Sequence, residues 1–266
     1  MNREKQHRID AQKLLARFER YARIWTTSDA HIDASPTTER QWDLLKLLKS
    51  ELEELGLQAE LDDQGFLIGR MAASSGCEGA PAIGLMAHVD TAADVSGKDV
   101  DPQVHPAWTG SPIKLKNGVV LDPEEMPELA VRKGDTIITS DGTTLLGADN
   151  KAGVAEIMAA VEYLSSHPDA AHGPLEIIFT PDEETGKGMD RFPKEKIKSR
   201  CCYTLDGDVR GTLESECFNA YRAEIRFQGI ASHPGRARGR MVNAISMLGS
   251  FLNLLPGAES PEASDG

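Results

Sequence analysis

The chain has 266 residues, of which 40% are hydrophobic and 27% are charged, and its formal net charge is -13. This length fits one large domain, or one domain and part of another. The acidity argues against a nucleic-acid partner and an anionic membrane, because no stripe of basic residues is available to neutralise phosphates. We therefore expect a globular protein with neither kind of partner.

The cysteine pattern and the N-terminal residues indicate the cellular compartment of the protein. Cys77, Cys201, Cys202 and Cys217 form no CxxC pair. Their low density is typical of reduced structural thiols in a cytosolic protein. The first eight residues are too charged for a signal peptide, and no apolar run approaches the length of a membrane span. The predicted location is the cytoplasm.

The chain begins with two predicted helices and a hairpin. Apolar residues recur at helical spacing over residues 14–22 and again over 42–55, where Gly56 ends the second helix. The Ser-Pro-Thr-Thr sequence at 35–38 is interpreted as the cap of that helix. Alternation on both sides of a turn at 63–65 predicts a hairpin.

Strands and helices then alternate. A continuous apolar run over 81–87 and a second stretch of the buried type over 175–180 predict strands buried on both faces. A β-branched stretch at 135–139 predicts a short strand, and helical spacing predicts a helix that begins near Asn150. With a further strand over 201–205, this order predicts an α/β fold with crossover connections.

Two stretches depart from this alternation. Residues 92–130 are rich in Pro, Asp and Gly and are predicted as a long connection, which is usually functional at that length. After about residue 211, residues 218–227 alternate like a solvent-facing antiparallel strand, and a helix is predicted over 241–255. One strand and one helix cannot enclose a core, so we predict a domain over residues 1–210 and an incomplete second domain over 211–266.

Residues that could hold metal ions follow the ends of the predicted strands: His88 with Asp90, Asp149, Glu183 with Glu184, and Asp206. In open α/β sheets, ligands collect beyond the carboxyl ends of the strands. His88 and Asp90 are two residues apart and face the same way in a strand. Asp90 could therefore orient one ring nitrogen of His88 and leave the other for a metal.

The remaining acidic residues suggest separate roles. Glu183 and Glu184 are adjacent and cannot both point at one atom without distortion, which suits one to be a ligand and the other a general base. Asp149, on a loop that opens a helix, could bridge two cations about 3.5–4 Å apart. Taken singly, each of these residues also has an ordinary structural explanation. Asp149 could be a helix cap, the two glutamates could lie on a solvated surface, and Asp206 could belong to a turn. Their joint occurrence at strand ends favours a metal site.

Four segments resemble the M20 metallopeptidases, in that family's order and at its separations: LMAHVDT at 85–91, GADNKAG at 147–153, FTPDEE at 179–184 and LDG at 205–207. Further segments at 94–98, 141–147 and 214–220 bring the match closest to the tripeptide aminopeptidases of that family. The resemblance covers nearly the whole chain. It implies a zinc-exopeptidase-like mixed sheet with flanking helices, followed by the beginning of a smaller α+β lid or dimerisation-type domain.

The resemblance also implies two zinc ions in each intact active site. His88, Asp149 and Asp206 would hold one zinc, and Asp149 with Glu184 would hold the second. The peptide bond after Asp149 is often cis in this family.

The resemblance implies catalytic roles for three residues. Asp90 would orient the histidine ligand, and Glu183 would be the general base. His233 would lie on the lid and stabilise the oxyanion of the tetrahedral intermediate. Asn243 matches a family position on the substrate side of the lid.

One expected ligand has no counterpart in the sequence. The second zinc of the family also takes a histidine from near the C-terminus, and this sequence ends at Gly266 before reaching it. The chain therefore looks like the N-terminal two-thirds of such an enzyme, either a fragment or a truncated gene product.

The implied function is that of a dinuclear zinc aminopeptidase that removes the N-terminal residue of small peptide substrates, tripeptides above all, and that forms a homodimer. Two alternatives stay open. One is another M20 amidohydrolase, a deacylase or a carboxypeptidase. The other is a catalytically inactive, metal-binding fragment.

Overall fold

A computed structural model of the chain describes residues 8–207, 209, 211–216, 223–260 and 263. The chain divides into two compact units, Met1–Arg210 and Gly211–Gly266. Within the described ranges, no helix combines the length and the apolar character that crossing a bilayer requires.

Helices and strands alternate along the first unit, and the described residues of the second include an α-helix. The helices are α1 (Ala11–Ala22), α2 (Gln41–Glu54), α3 (Pro127–Ala130), α4 (Ala148–Ser166) and α5 (Ala244–Leu252). The strands are β1 (Gln58–Leu61), β2 (Leu67–Met71), β3 (Ile83–His88), β4 (Gln103–His105), β5 (Ile113–Lys114), β6 (Val120–Leu121), β7 (Ile137–Thr139), β8 (Leu175–Thr180) and β9 (Cys201–Thr204).

A five-stranded sheet with the order β1-β2-β8-β3-β9 forms the centre of the first unit. The hairpin strand β2 runs antiparallel to β8, whereas β3 runs parallel to both β8 and β9. Every residue of β8 is buried, as predicted for this strand. The predicted α/β fold with a mixed sheet is confirmed. Because β3, β8 and β9 are parallel, their carboxyl ends meet at one edge of the sheet.

The edge strand β9 carries two of the cysteines. Cys201 and Cys202 are free and exposed, and Cys77 is free and half-buried. These thiols are therefore not core residues, whereas Cys217 lies outside the described part of the chain.

The helix α2 begins later than its predicted cap implies. Arg40 occupies the N-cap position, and no side chain caps the helix. The hydroxyl of Thr37 instead donates to Asp182 at 2.5 Å, and that of Thr38 donates to the Thr27 carbonyl at 2.8 Å. The prediction that residues 35–38 cap α2 is wrong, because their side chains bind other segments.

The region between β3 and α4 is more ordered than predicted. It contains β4 to β7 and α3 and has a small core of its own, formed by Trp108, Ile113 and Leu129. β7 pairs with β4 in a separate two-stranded sheet. The strand predicted at 135–139 thus belongs to this small sheet and not to the five-stranded one, whereas Asp149 lies at the start of α4, as predicted.

The second unit has less regular structure than its sequence predicts. Part of the strand predicted over 218–227 lies outside the described residues, and its described part, 223–227, is not a strand. A β-bridge joins Ile230 to Val242. The helix α5 is shorter than predicted, because the side chain of Asn243 caps it by accepting from the Ile245 N–H at 2.9 Å.

A buried ion cluster joins the helices outside the sheet. Glu51 on α2 accepts hydrogen bonds from Arg17 at 2.6 Å, from the Tyr21 hydroxyl at 2.5 Å and from Arg20. Arg17 also donates to Glu162 on α4 at 2.5 Å. Three helices are thus linked through charged groups, of which Arg17 and Glu51 lie largely out of water.

Glu51→Ala is expected to lower the free energy of unfolding by about 3 kcal/mol, because Arg17 loses one of its two carboxylate partners and the buried Tyr21 hydroxyl loses its acceptor. Urea denaturation followed by circular dichroism measures this change. Glu53→Ala on the same helix is the control, since its pair with Lys49 is exposed and is worth less than about 1 kcal/mol. Equal effects of the two substitutions would contradict the prediction.

Candidate metal centre

His88 is the last residue of β3, and its buried ring is surrounded by carboxylates from three other segments. Its Nε2 lies 3.0 Å from Asp149 Oδ1, 3.6 Å from Asp206 Oδ2 and 3.9 Å from Glu183 Oε2. His88, Asp149 and Glu184 each offer one ligand atom, and these three atoms lie within 4.8 Å of one another. The side chains after β3, β8 and β9 and at the start of α4 thus meet at one place.

Asp90 contacts the other side of the imidazole. Its Oδ1 lies 3.2 Å from His88 Nδ1, and its backbone carbonyl oxygen lies 3.1 Å from the same nitrogen. The carboxylate also accepts from the backbone N–H groups of Glu183 at 3.0 Å and Glu184 at 3.1 Å. Asp90 therefore connects the end of β3 to the turn that follows β8. The contact with this turn is one that the sequence analysis missed.

The start of α4 presents Asp149 to the cluster. Gly147, at the N-cap, has φ +74°, a conformation that glycine adopts without steric cost. The backbone is non-helical at Asp149 and Asn150, and the peptide bond between them is cis, as the resemblance implied. The Asp149 side chain is 73% exposed. Its carboxylate therefore faces both His88 and open solvent.

A close approach fixes α4 against the segment that carries Asp206. A Cβ atom at Gly153 would lie 2.1 Å from the carbonyl oxygen of Leu205, a distance that no side chain tolerates. Glycine at this position lets the helix approach the backbone directly before Asp206. The packing of α4 against Leu205 therefore requires glycine at position 153, the last residue of the GADNKAG segment.

Lys151 is an additional buried group next to the cluster, and the sequence analysis gave it no role. Its Nζ donates to the carbonyl oxygen of Ile24 at 2.6 Å. Burial lowers the pKa of Lys151 to about 7. The hydrogen bond ties the first turn of α4 to the chain that leaves α1.

The carboxylates control the protonation of the imidazole. Burial alone would lower the pKa of His88, but the hydrogen bond and charge of Asp90 and the charges of Asp206 and Glu183 outweigh it. Together they raise the pKa of His88 to about 9. Without a metal, the ring therefore carries a proton at neutral pH as the counter-charge to these acids.

The carboxylates of the cluster also repel one another, which disfavours their charged forms. Partial burial and then repulsion from Asp149 raise the pKa of Glu184. Partial burial raises the pKa of Asp206 too: the attraction of His88 opposes this rise, and repulsion from Asp149 and Glu183 adds to it. Such an excess of negative charge around one imidazole is a suitable environment for a cation.

His233 belongs to the second unit. Its Nδ1 accepts a hydrogen bond from the Gly235 N–H at 3.1 Å in a short turn that begins at Pro234. Its role at an oxyanion stays a prediction.

Comparison with known proteins identifies the relatives of the chain. Peptidase T of Macrococcus caseolyticus is 46% identical over 255 residues, which are 96% of this chain and 62% of that protein. The chain is similar to peptidase T over nearly its whole length. Peptidase T of Listeria welshimeri is also 46% identical, over 258 residues that are 96% of this chain and 63% of that protein. The chain thus spans about 62% of the length of these relatives, and the predicted resemblance is confirmed.

Solved structures show the same fold. The aminopeptidase PepT from Bacillus cereus has a TM-score of 0.61 at 22% identity, over 95% of this chain and 59% of its own. A tripeptidase from Staphylococcus aureus has a TM-score of 0.62 at 19% identity, over 97% of this chain and 59% of its own. Separately, residues 216–264 match the family described as the peptidase dimerisation domain.

Proposed function

We propose that the protein is a zinc-dependent aminopeptidase that removes the N-terminal residue of tripeptides. The observation that carries this proposal is the meeting of His88, Asp149, Glu184 and Asp206 at one edge of the sheet. The names of the relatives, peptidase T, and of one structural neighbour, a tripeptidase, support the same reaction. In this proposal residues 1–210 are the catalytic domain and residues 211–266 are the beginning of a lid.

The donor set fits zinc. His88, Asp149 and Asp206 would hold one ion, and Asp149 with Glu184 would hold a second. Imidazole and carboxylate are ordinary zinc ligands, and a cation would relieve the mutual repulsion of these acids. When bound, zinc supplies Lewis-acid chemistry at the peptide carbonyl.

Glu183 is suited to move the proton. Its side chain is 56% exposed, and its backbone N–H is held by the buried Asp90. The carboxylate would accept a proton from the water that attacks the N-terminal peptide carbonyl. As the C–N bond breaks, the same group would return this proton to the leaving amine. His233 would stabilise the oxyanion.

The second unit would serve assembly. Its match to the peptidase dimerisation domain supports a homodimer. The substrate would be a small peptide with a free N-terminus, consistent with the names of the relatives.

A substrate panel tests the proposal. The purified chain, incubated with zinc, is assayed with a tripeptide, a dipeptide and an N-acetylated amino acid. Hydrolysis of the tripeptide at its N-terminal bond, lost after chelation, is the expected result. Cleavage of the acetylated amino acid alone would favour the deacylase alternative. Zinc binding without hydrolysis of any substrate would favour the inactive fragment.

A further inference from the structure

Asp182 is an unusual residue at the centre of the fold. It precedes the two glutamates, it is 2% exposed, and its φ of +61° lies in the left-handed region. Asp tolerates this conformation better than most residues. Its backbone carbonyl accepts from the N–H groups of Thr185 at 3.3 Å and Lys187 at 3.2 Å, which closes the turn. The conformation of Asp182 therefore sets the direction in which the chain leaves β8.

The carboxylate of Asp182 points away from the metal centre, into the segment before α2. Both of its oxygens accept from the Thr37 N–H at 2.9 Å, and Oδ1 also accepts from the Thr37 hydroxyl at 2.5 Å and from Gln41 Nε2 at 2.7 Å. The Asp182 N–H donates back to Gln41 Oε1 at 3.3 Å. Gln41, the first residue of α2, thus binds both the side chain and the backbone of Asp182.

We infer that Thr37 and Gln41 are positioning residues for the metal centre, acting through Asp182 on the turn that carries Glu183 and Glu184. This inference rests on the proposed function. The turn is held from two sides: Asp90 binds the N–H groups of the two glutamates, and the Thr37–Gln41 pair binds the residue before them. Neither Thr37 nor Gln41 is among the metal-binding or reacting groups.

The chemistry of the contact explains why it would hold the turn firmly. The hydrogen bonds to the buried Asp182 carboxylate come from uncharged donors, namely a backbone N–H, a hydroxyl and an amide. Hydrogen bonds to a charged acceptor are stronger than neutral ones, and each lost donor leaves a buried charge less satisfied. A small rotation of the turn would therefore break several contacts at once, which confines the two glutamates to one arrangement.

Gln41→Met tests the inference, because methionine has a similar length and can make neither contact with Asp182. We expect the amides of Glu183 and Glu184 to exchange hydrogen about tenfold faster or more, measured by NMR under strongly native conditions. We also expect the affinity for Zn²⁺, measured by calorimetry on the full chain, to fall by about tenfold, the lower end of the effect of residues that support metal ligands.

Tyr21→Phe on α1 is the matched control, since it removes a buried hydrogen bond to Glu51 at another turn of α2, together with the one that the hydroxyl accepts from Arg17. It is expected to lower stability without changing the exchange of the Glu183 and Glu184 amides. If Gln41→Met does not fold, Thr37→Val and Thr37→Ser form a second pair, in which only valine removes the hydroxyl donor. Serine is then expected to behave like the natural chain.

The outcomes separate this inference from the proposed function. Unchanged exchange at Glu183 and Glu184 in Gln41→Met would overturn the inference whether or not the chain binds zinc. Faster exchange with unchanged zinc affinity would also overturn it, since the turn would then not position the ligand. Faster exchange in a chain whose natural form binds no zinc would support the positioning of the turn and refute the proposed metal site.

Discussion

Asp149→Ala is expected to lower the affinity of the chain for zinc by about a hundredfold or more. Asp149 is the carboxylate that lies nearest to His88 Nε2, at 3.0 Å, and it is the residue proposed to contact both ions. Loss of a group that merely supports a ligand costs about 10–100-fold in metal affinity, so loss of a ligand shared by two ions should reach at least the upper end of that range. Calorimetric titration with Zn²⁺ measures the effect.

Glu156→Ala is the control for the change in net charge. Glu156 lies on the same helix, is exposed and does not belong to the cluster. It is expected to leave zinc affinity within about threefold of the natural value, since exposed charges at a distance are screened. If both substitutions weaken zinc binding equally, the ion is attracted by the overall acidity of the chain and not by the cluster at His88.

The central strands and the ligands that follow them were predictable from the sequence. β3 and β8 are mostly apolar, so their ends stand out where the polar residues that begin at His88 and Asp182 follow. Parallel strands bring such ends to one edge, which makes the meeting of distant residues a consequence of fold class. The likeness of four motifs to one family then supplied roles that spacing alone leaves open.

The small sheets could not be predicted in the same way. β5 and β6 have two residues each and β4 has three, too few for an alternating pattern to be recognised, so only β7 was predicted, from its β-branched residues, and its partner strand was not. The placement of β7 beside β4 depends on a core of Trp108, Ile113 and Leu129, whose members are scattered over a stretch without helical spacing. Tertiary packing, not local preference, decides this region.

The hydrogen bonds that hold the turn of Glu183 and Glu184 in place could not be predicted for a different reason. Asp182 and Thr37 are 145 residues apart, and the Ser-Pro-Thr-Thr sequence is a credible helix cap when it is read locally. Asp182 itself could have indicated these contacts, because it is a third acid at the end of a fully buried strand. An acid that does not face the metal needs hydrogen-bond donors elsewhere, and the start of α2 provides them.

Burial and charge are distributed unequally over the cluster. His88 and Asp90 are buried, whereas Asp149 and Glu183 are largely open to solvent. The buried pair, His88 and Asp90, is suited to keep the arrangement of the cluster fixed. The exposed carboxylates of Asp149 and Glu183 are accessible to an ion, a water molecule or a peptide. This division agrees with Glu183 as the group that exchanges protons, because a general base must be reached by the substrate and by water.

Glu183→Gln is expected to lower the zinc-dependent rate of tripeptide hydrolysis by about 10²–10⁴-fold, the usual contribution of a general base. The amide has the same shape, and the backbone N–H that donates to Asp90 is kept, so the turn stays in place. Zinc affinity should therefore change by less than about threefold, because Glu183 is not a proposed ligand and the supports of the ligands are intact. Steady-state kinetics on a tripeptide and calorimetry with Zn²⁺ separate the two effects.

Glu184→Gln provides the contrast at the next position. It is expected to weaken zinc binding, because the carboxylate of Glu184 lies in the same group as His88 and Asp149. The two adjacent substitutions remove the same charge, so a difference between them reports the position of the group and not the net charge. A Glu183→Gln variant that keeps more than a tenth of the natural rate, or that loses zinc as Glu184→Gln does, would contradict the assignment of the proton transfer to Glu183.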